Sequence, residues 1–81
     1  MGKITEKEIL EFISVTLNYE YLVHQTEIEL ESKIKDLEID SIDFIEFIML
    51  IEDKYNISID EDTSKGFKTI GEIVEYINKQ I

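Results

Sequence analysis

Near the middle of the chain the stretch "LEIDSIDFIEFIMLIEDKY" sets a single serine, Ser41, between Asp40 and Asp43 at the head of a long apolar run. A catalytic serine would need a base and a third group to orient that base. The only histidine, His24, lies in a loop segment that offers no way to hold it against Ser41, and the flanking carboxylates are poor bases for a hydroxyl at neutral pH. A calcium loop is the second possibility, because "DLEIDSIDFIEF" places acids at alternate positions from Asp36. It fails twice: Ser41 stands where the sharp turn needs glycine, and Phe47 where a bidentate glutamate is needed. Asp and Ser are preferred helix caps, and an aspartate in the first turn suits the helix dipole. A serine at such a helix head also presents a primary hydroxyl beside N–H groups that help hold a phosphate. Ser41 is therefore expected to be acted on by an enzyme on another protein rather than to be a nucleophile of its own.

The helix behind Ser41 is predicted over Ser41 to Tyr55, with Asn56 near its end. At about 100° per residue, Phe44, Phe47, Ile48, Ile51 and Tyr55 cluster on one side, the width of a core-facing stripe. Ile42, Glu46, Met49 and Asp53 follow the spacing i, i+4, i+7, i+11 and make a second line on roughly the opposite side. Scattered surface hydrophobes are ordinary. Here three features favour recognition: Met adapts to several partners, the carboxylates offer steering and register, and the line begins one residue from Ser41.

Other elements must position this helix. "ITEKEILEFISVTLNY" opens with Thr5 and Glu8 in capping-box spacing, and Ile9, Phe12, Ile13, Thr16 and Leu17 share a stripe, predicting a first helix over residues 6 to 19. "EYLVHQTEIELESKIKDLEID" keeps no period, yet Leu22, Ile28, Leu30, Ile34 and Leu37 are too apolar for a solvated linker. It reads as a long loop pinned onto a bundle, with a turn of helix around Ser32 to Leu37. The alternative, "EIEL" paired with "ISI" as strands, would be marginal without a third strand. In "ISIDEDTSKGF", Asp60 or Asp62 can cap a short helical turn that Gly66 ends. The last helix, in "TIGEIVEYINKQI", repeats the capping box with Thr69 and Glu72 and is expected to bury Ile70, Ile73, Val74, Ile77 and Ile81. Lys79 in its last turn suits the dipole.

At 81 residues the chain is expected to form one domain, 1–81, with one continuous core. It has no proline and three glycines, and 43 % of it is apolar, so an all-α globular fold is the economical reading. The net charge of −11, from 19 acidic against 8 basic residues, repels phosphate backbones and anionic lipid heads. Nucleic acid and membrane surfaces are thus not expected as partners; proteins with basic patches fit, and the charge favours a monomer. With no cysteine, disulfides, thiolate metal sites and cysteine nucleophiles are excluded. "MGKITE" lacks a signal-like apolar core, and Glu6 occupies the position where a myristoylation signal needs Ser or Thr. A soluble, cytoplasmic protein is expected.

The residues "DLEIDSIDFIEFIMLIEDKYNISIDED" resemble the phosphopantetheine-attachment region of acyl carrier proteins, in which an aspartate-serine-leucine start opens the second helix. The resemblance runs on through the first helix, the pinned loop, the short third helix and the closing "TIGEIVEYI". It implies an all-α, small four-helix bundle with three longer helices, a short third helix and a long loop between helices one and two. It also implies that Ser41 carries a 4′-phosphopantetheine arm, transferred from coenzyme A by a separate magnesium-dependent phosphopantetheinyl transferase, with Asp40 assisting at the magnesium site. The arm's thiol would hold acyl groups as thioesters, so a chain without cysteine becomes a carrier and a substrate of its partner enzymes rather than an enzyme. Ile42, standing where the family has leucine, would with Asp43, Glu46, Met49 and Asp53 meet those partners. Phe44, Ile48, Ile51 and Tyr55 would be candidates to line a space for the acyl chain, although Phe44 and Phe47 are bulky enough to fill it. Three positions depart from the family pattern. Glu38 stands where glycine is common, which implies strain if a positive φ is required; "ISID" lacks a proline, and Leu50 replaces a small residue. They bear on whether the pathway is housekeeping fatty-acid synthesis or a polyketide-type or other specialised one. A carrier for a ligase-activated amino acid or other acid is the near alternative, and an unmodified acidic helical interaction module the distant one.

Overall fold

Two capping boxes bracket the fold. In the computed structural model, which describes residues 4–21, 23 and 27–81, the Thr5 hydroxyl accepts from the Glu8 N–H at 3.2 Å while the Glu8 carboxylate accepts from the Thr5 N–H at 3.0 Å. Thr69 and Glu72 repeat the arrangement at 3.2 and 3.3 Å. These reciprocal bonds satisfy N–H groups that a helix start would leave without partners. They begin α1 (Glu6–Tyr19) and α4 (Ile70–Gln80), and between them lie a single 3₁₀ turn (Ile34–Leu37), α2 (Ser41–Tyr55) and the short α3 (Glu61–Gly66).

The helical stripes build one core. Helix α1 buries Ile9, Ile13, Thr16 and Leu17 against Ile70, Ile73, Val74 and Ile77 of α4, and α2 adds Phe47, Ile48 and Ile51. Phe12, Phe44 and Tyr55 pack against this cluster half-buried. Ile81 corrects the expected stripe: it lies beyond the end of α4 and is 45 % exposed.

The long connection from α1 to α2 is pinned as expected, with Ile28 and Leu37 in the core. Leu22 and His24 lie outside the described residues. What pins the connection is backbone as much as side chain. The Ile34 N–H donates to the Lys68 carbonyl at 2.9 Å, and the Ile70 and Gly71 N–H groups donate to the carbonyls of Ser32 and Leu30 at 2.9 and 2.8 Å. Loop and α4 satisfy each other across one isolated antiparallel bridge, Lys33 to Thr69, and no strand forms among the described residues. A Cβ at Gly71 would lie 2.8 Å from the Leu30 oxygen, so glycine is what permits this close approach.

At the α3 start the cap is Asp60 rather than Asp62. Its carboxylate accepts from the Thr63 N–H at 2.7 Å, a bond to the ionised form that holds the carboxyl below the usual range. Gly66 is the last residue of α3, but it takes no positive φ, and the chain leaves through extended Phe67.

Among the described residues, two other than glycine do adopt a left-handed backbone. Asn56, at φ 55°, ends α2 with its N–H on the Glu52 carbonyl, a conformation asparagine tolerates. Glu38, at φ 56°, closes the 3₁₀ turn two residues before Asp40, where its Cβ crowds the following carbonyl. Relief of about 1–2 kcal/mol of that crowding, set against about 0.5–1 kcal/mol of extra glycine entropy, predicts that Glu38→Gly stabilises the fold by roughly 0.5–1 kcal/mol. Urea denaturation checks this; an unchanged or lowered midpoint would show that the Glu38 side chain offsets its backbone strain.

Candidate functional site

The turn from Ile39 to Ser41 divides the two roles that the sequence left to Asp40 and Ser41. Asp40 is the cap: its backbone is extended, its carboxylate accepts from the Ile42 N–H at 3.2 Å, and its carbonyl accepts from the Phe44 N–H at 2.8 Å. Ser41 is therefore the first residue of α2, exposed, with its hydroxyl unengaged by any described residue. Because its neighbour does the capping, the hydroxyl is free for chemistry at no cost to the helix.

Along α2 the second line is open to solvent: Ile42 is 67 % and Met49 56 % exposed, with Glu46 and Asp53 exposed and Asp43 half-buried. Sequence reasoning missed one member of this surface. Ile45 is 54 % exposed, and with Ile48, Met49 and Glu52 it faces Ile59, Glu61 and Ser64 across a hollow of about 220 Å³ between α2 and α3. The spacing Ile42, Ile45, Met49, itself i, i+3, i+7, carries that signal. Glu52 is spent on structure, since its carboxylate accepts from the Ile59 N–H at 2.7 Å and ties α2 to the segment leading into α3.

Behind Ser41 the helix rests on aromatic rings. Phe47, fully buried, meets Tyr21 edge-on at 6.3 Å between centroids and Phe44 at 6.1 Å. Tyr21, also missed from sequence, has its phenol pushed up by burial and then by the carboxylates of Glu46, Asp43 and Glu20, so it stays neutral beside the acidic face. The four residues considered for an acyl chain lie apart in their exposure. Ile48 opens on the α2–α3 hollow, Tyr55 on another hollow against Phe12 of α1, Phe44 is half-buried and Ile51 is closed to solvent. Burial, then Glu8, raises the Tyr55 phenol. Among the described residues no cluster of three or more His, Cys, Asp or Glu could hold a metal ion, and no helix is long and apolar enough to cross a membrane.

Comparison with known proteins decides what this helix head belongs to. The family model for the phosphopantetheine attachment site matches residues 8–77, from α1 through the Asp40–Ser41 turn into α4. The chain belongs to the acyl carrier family. The acyl carrier protein of Exiguobacterium sibiricum is 34 % identical over 79 residues, covering 96 % of this chain and all of that protein. That of Clostridium perfringens is 43 % identical over 58 residues, covering 70 % of this chain and 76 % of that one. The meromycolate extension acyl carrier protein of Mycobacterium tuberculosis is 34 % identical over 77 residues, or 94 % and 67 % of the two chains. The crystal structure of the Thermotoga maritima acyl carrier protein superposes with a TM-score of 0.83 over 93 % of this chain and 88 % of that one at 19 % identity, a likeness of fold. As a member of this family the chain is a carrier with covalent 4′-phosphopantetheine that works with partner enzymes. When bound, that group supplies the thiol on which acyl groups are held as thioesters. The helix head fits it: the exposed Ser41 hydroxyl has no side-chain partner among the described residues to give up, and the positive end of the α2 dipole favours the negative charge that a phosphodiester would carry there.

Proposed function

We propose that Ser41 is the attachment residue, that a magnesium-dependent phosphopantetheinyl transferase loads it from coenzyme A, and that the chain then carries acyl intermediates of fatty-acid or polyketide-type synthesis. The observation that carries this reading is the exposed Ser41 hydroxyl, at the first position of a helix capped by its neighbour, inside the span of the family match. Asp40, next to it in the chain, would help place a magnesium ion during transfer. The chain supplies no catalysis of its own; residues 1–81 act as a single carrier domain, monomeric and cytoplasmic, without nucleic-acid or membrane partners. Incubation with coenzyme A, magnesium and a broad-specificity transferase, followed by intact mass measurement, tests the proposal. A gain of one phosphopantetheine is expected, and no gain with several transferases would overturn it in favour of an unmodified interaction module.

Ile42, Asp43, Glu46, Met49 and Asp53 form the proposed docking face. Its exposed carboxylates attract basic patches on partner enzymes over a Debye length, and Ile42 and Met49 supply apolar contact. Glu46→Lys is expected to slow loading by roughly tenfold at low salt, with a smaller difference at high salt and a thermal midpoint within a few degrees of wild type. Stopped-flow loading rates across ionic strength check this; a rate insensitive to the reversal removes Glu46 from the face. Cargo that folds back onto the bundle would have to part the contacts of Phe44, Ile48, Ile51 and Tyr55.

A further inference from the structure

On a chain of net charge −11, three of the eight basic residues converge on one groove. It lies between the 3₁₀ turn and the α3–α4 link, is open to solvent along one side with a volume of about 690 Å³, and has Ile34 and Phe67 as its apolar walls with Lys33, Lys35 and Lys68 around them. All three lysines are exposed and make no ion pair with a described residue; the one salt bridge among the described residues joins Lys65 and Glu61. The single carboxylate in the lining, Glu72, is turned onto the N–H groups of Lys68 and Thr69.

The walls are held before any ligand arrives. The Ile34 N–H bond to the Lys68 carbonyl fixes their separation. Phe67 packs edge-on against Tyr76 at 5.8 Å, and the Tyr76 hydroxyl is itself anchored on the Ser58 carbonyl at 3.1 Å. The α4 start contributes no anion site here, because the Ile70, Gly71 and Glu72 N–H groups already donate to Ser32, Leu30 and Thr69. Charge recognition is left to the ammonium groups.

We propose that this groove binds a free, single-chain carboxylate amphiphile, its tail on Ile34 and Phe67 and its carboxylate among Lys33, Lys35 and Lys68. The volume falls in the range of roughly 300–1,000 Å³ typical of small-molecule sites, with apolar walls and few convergent polar groups. A small monomeric ligand is favoured over an anionic membrane, since a whole molecule of this charge is repelled from such a surface while a local lysine cluster attracts one carboxylate. No residue of α2 lines the groove, and the proposal stands whether or not Ser41 is the modified residue.

The test uses the full, unmodified chain, isotopically labelled, titrated at low salt with decanoate below its micelle concentration and followed by amide shifts. Shifts centred on Ile34, Phe67, Lys68 and Thr69 are expected, with decanol and acetate each binding at least several-fold more weakly, and with added salt weakening decanoate alone. Lys33→Gln/Lys35→Gln/Lys68→Gln should weaken binding by roughly tenfold, while Lys7→Gln/Lys65→Gln/Lys79→Gln, of equal net charge, should not. Phe67→Ala should weaken decanoate and decanol alike. Equal binding of decanol and decanoate, equal effects of the two triple variants, shifts centred elsewhere, or binding to phosphatidylglycerol vesicles without binding of monomeric decanoate would each overturn the proposal.

Discussion

A Ser41→Ala chain is expected to gain no mass from coenzyme A, magnesium and transferase under conditions that load the wild type completely, and to remain as stable as the wild type. The first half follows from chemistry: the new bond joins the serine oxygen to phosphorus, and no other side chain in this turn offers a hydroxyl. The second half follows from the division of labour at the helix head. Asp40 makes the capping bond to Ile42, and the Ser41 hydroxyl has no described partner, so alanine at the first helical position leaves the helix intact. Its urea midpoint should differ from wild type by about 0.5 kcal/mol or less in stability. Asp40→Ala separates the two residues further, because it removes the cap and costs about 1 kcal/mol while leaving the hydroxyl in place. A mass gain that persists in Ser41→Ala would move the attachment to another hydroxyl. A large loss of stability would instead make the serine structural.

How much of this was legible in the sequence depends on whether the information is local. The capping boxes at Thr5/Glu8 and Thr69/Glu72, the buried stripes of α1 and α4 apart from half-buried Phe12 and exposed Ile81, and the exposed line on α2 all follow from spacing within one helix, and they stand where spacing puts them. Asp60 and Asp62 are equivalent as candidate caps on residue type alone; only the backbone path selects Asp60. The anchoring of the long loop was hidden for a stronger reason. It uses main-chain groups of Leu30, Ser32, Lys68 and Gly71, which leave no side-chain pattern, and the glycine that permits it reads like any helical glycine. Glu38 is intermediate: its left-handed backbone is invisible to periodicity and became an expectation only through the family resemblance. At the site, the exposure of Ser41 and of the line Ile42, Glu46, Met49 and Asp53 was legible, whereas Tyr21 was not, because its contact with Phe47 bridges the loop and α2. In the basic groove Lys68 is likewise distant in sequence from Lys33 and Lys35, and it meets them only because the loop is tied to the start of α4.

Phe47→Ala is expected to produce the largest loss of stability of any single change behind the site. The ring is fully buried, its neighbours on α2 are Ile48 and Ile51, and it is touched by Tyr21 from the loop and by Phe44 one turn earlier. Truncating a buried phenylalanine costs about 3–5 kcal/mol through lost transfer energy and the cavity left behind, and the two aromatic contacts place it toward the upper end. A domain of this length holds only about 4–12 kcal/mol in total, so the variant should lose a large part of its stability and more than about 10 °C in Tm. Thermal and urea denaturation read this directly, and Phe47→Leu, which keeps most of the volume, should lose far less. The position also links packing to function. Phe47 is the floor on which the first turns of α2 rest, so its removal loosens the support of Phe44 and Tyr21 and, through them, the presentation of Ser41 and Glu46. Loading of the folded fraction should therefore slow in Phe47→Ala even at low temperature, where the chain remains folded. If stability falls as expected while loading is unaffected, the aromatic cluster serves the core alone; a loss below about 1 kcal/mol would mean that the ring does not carry the packing its burial implies.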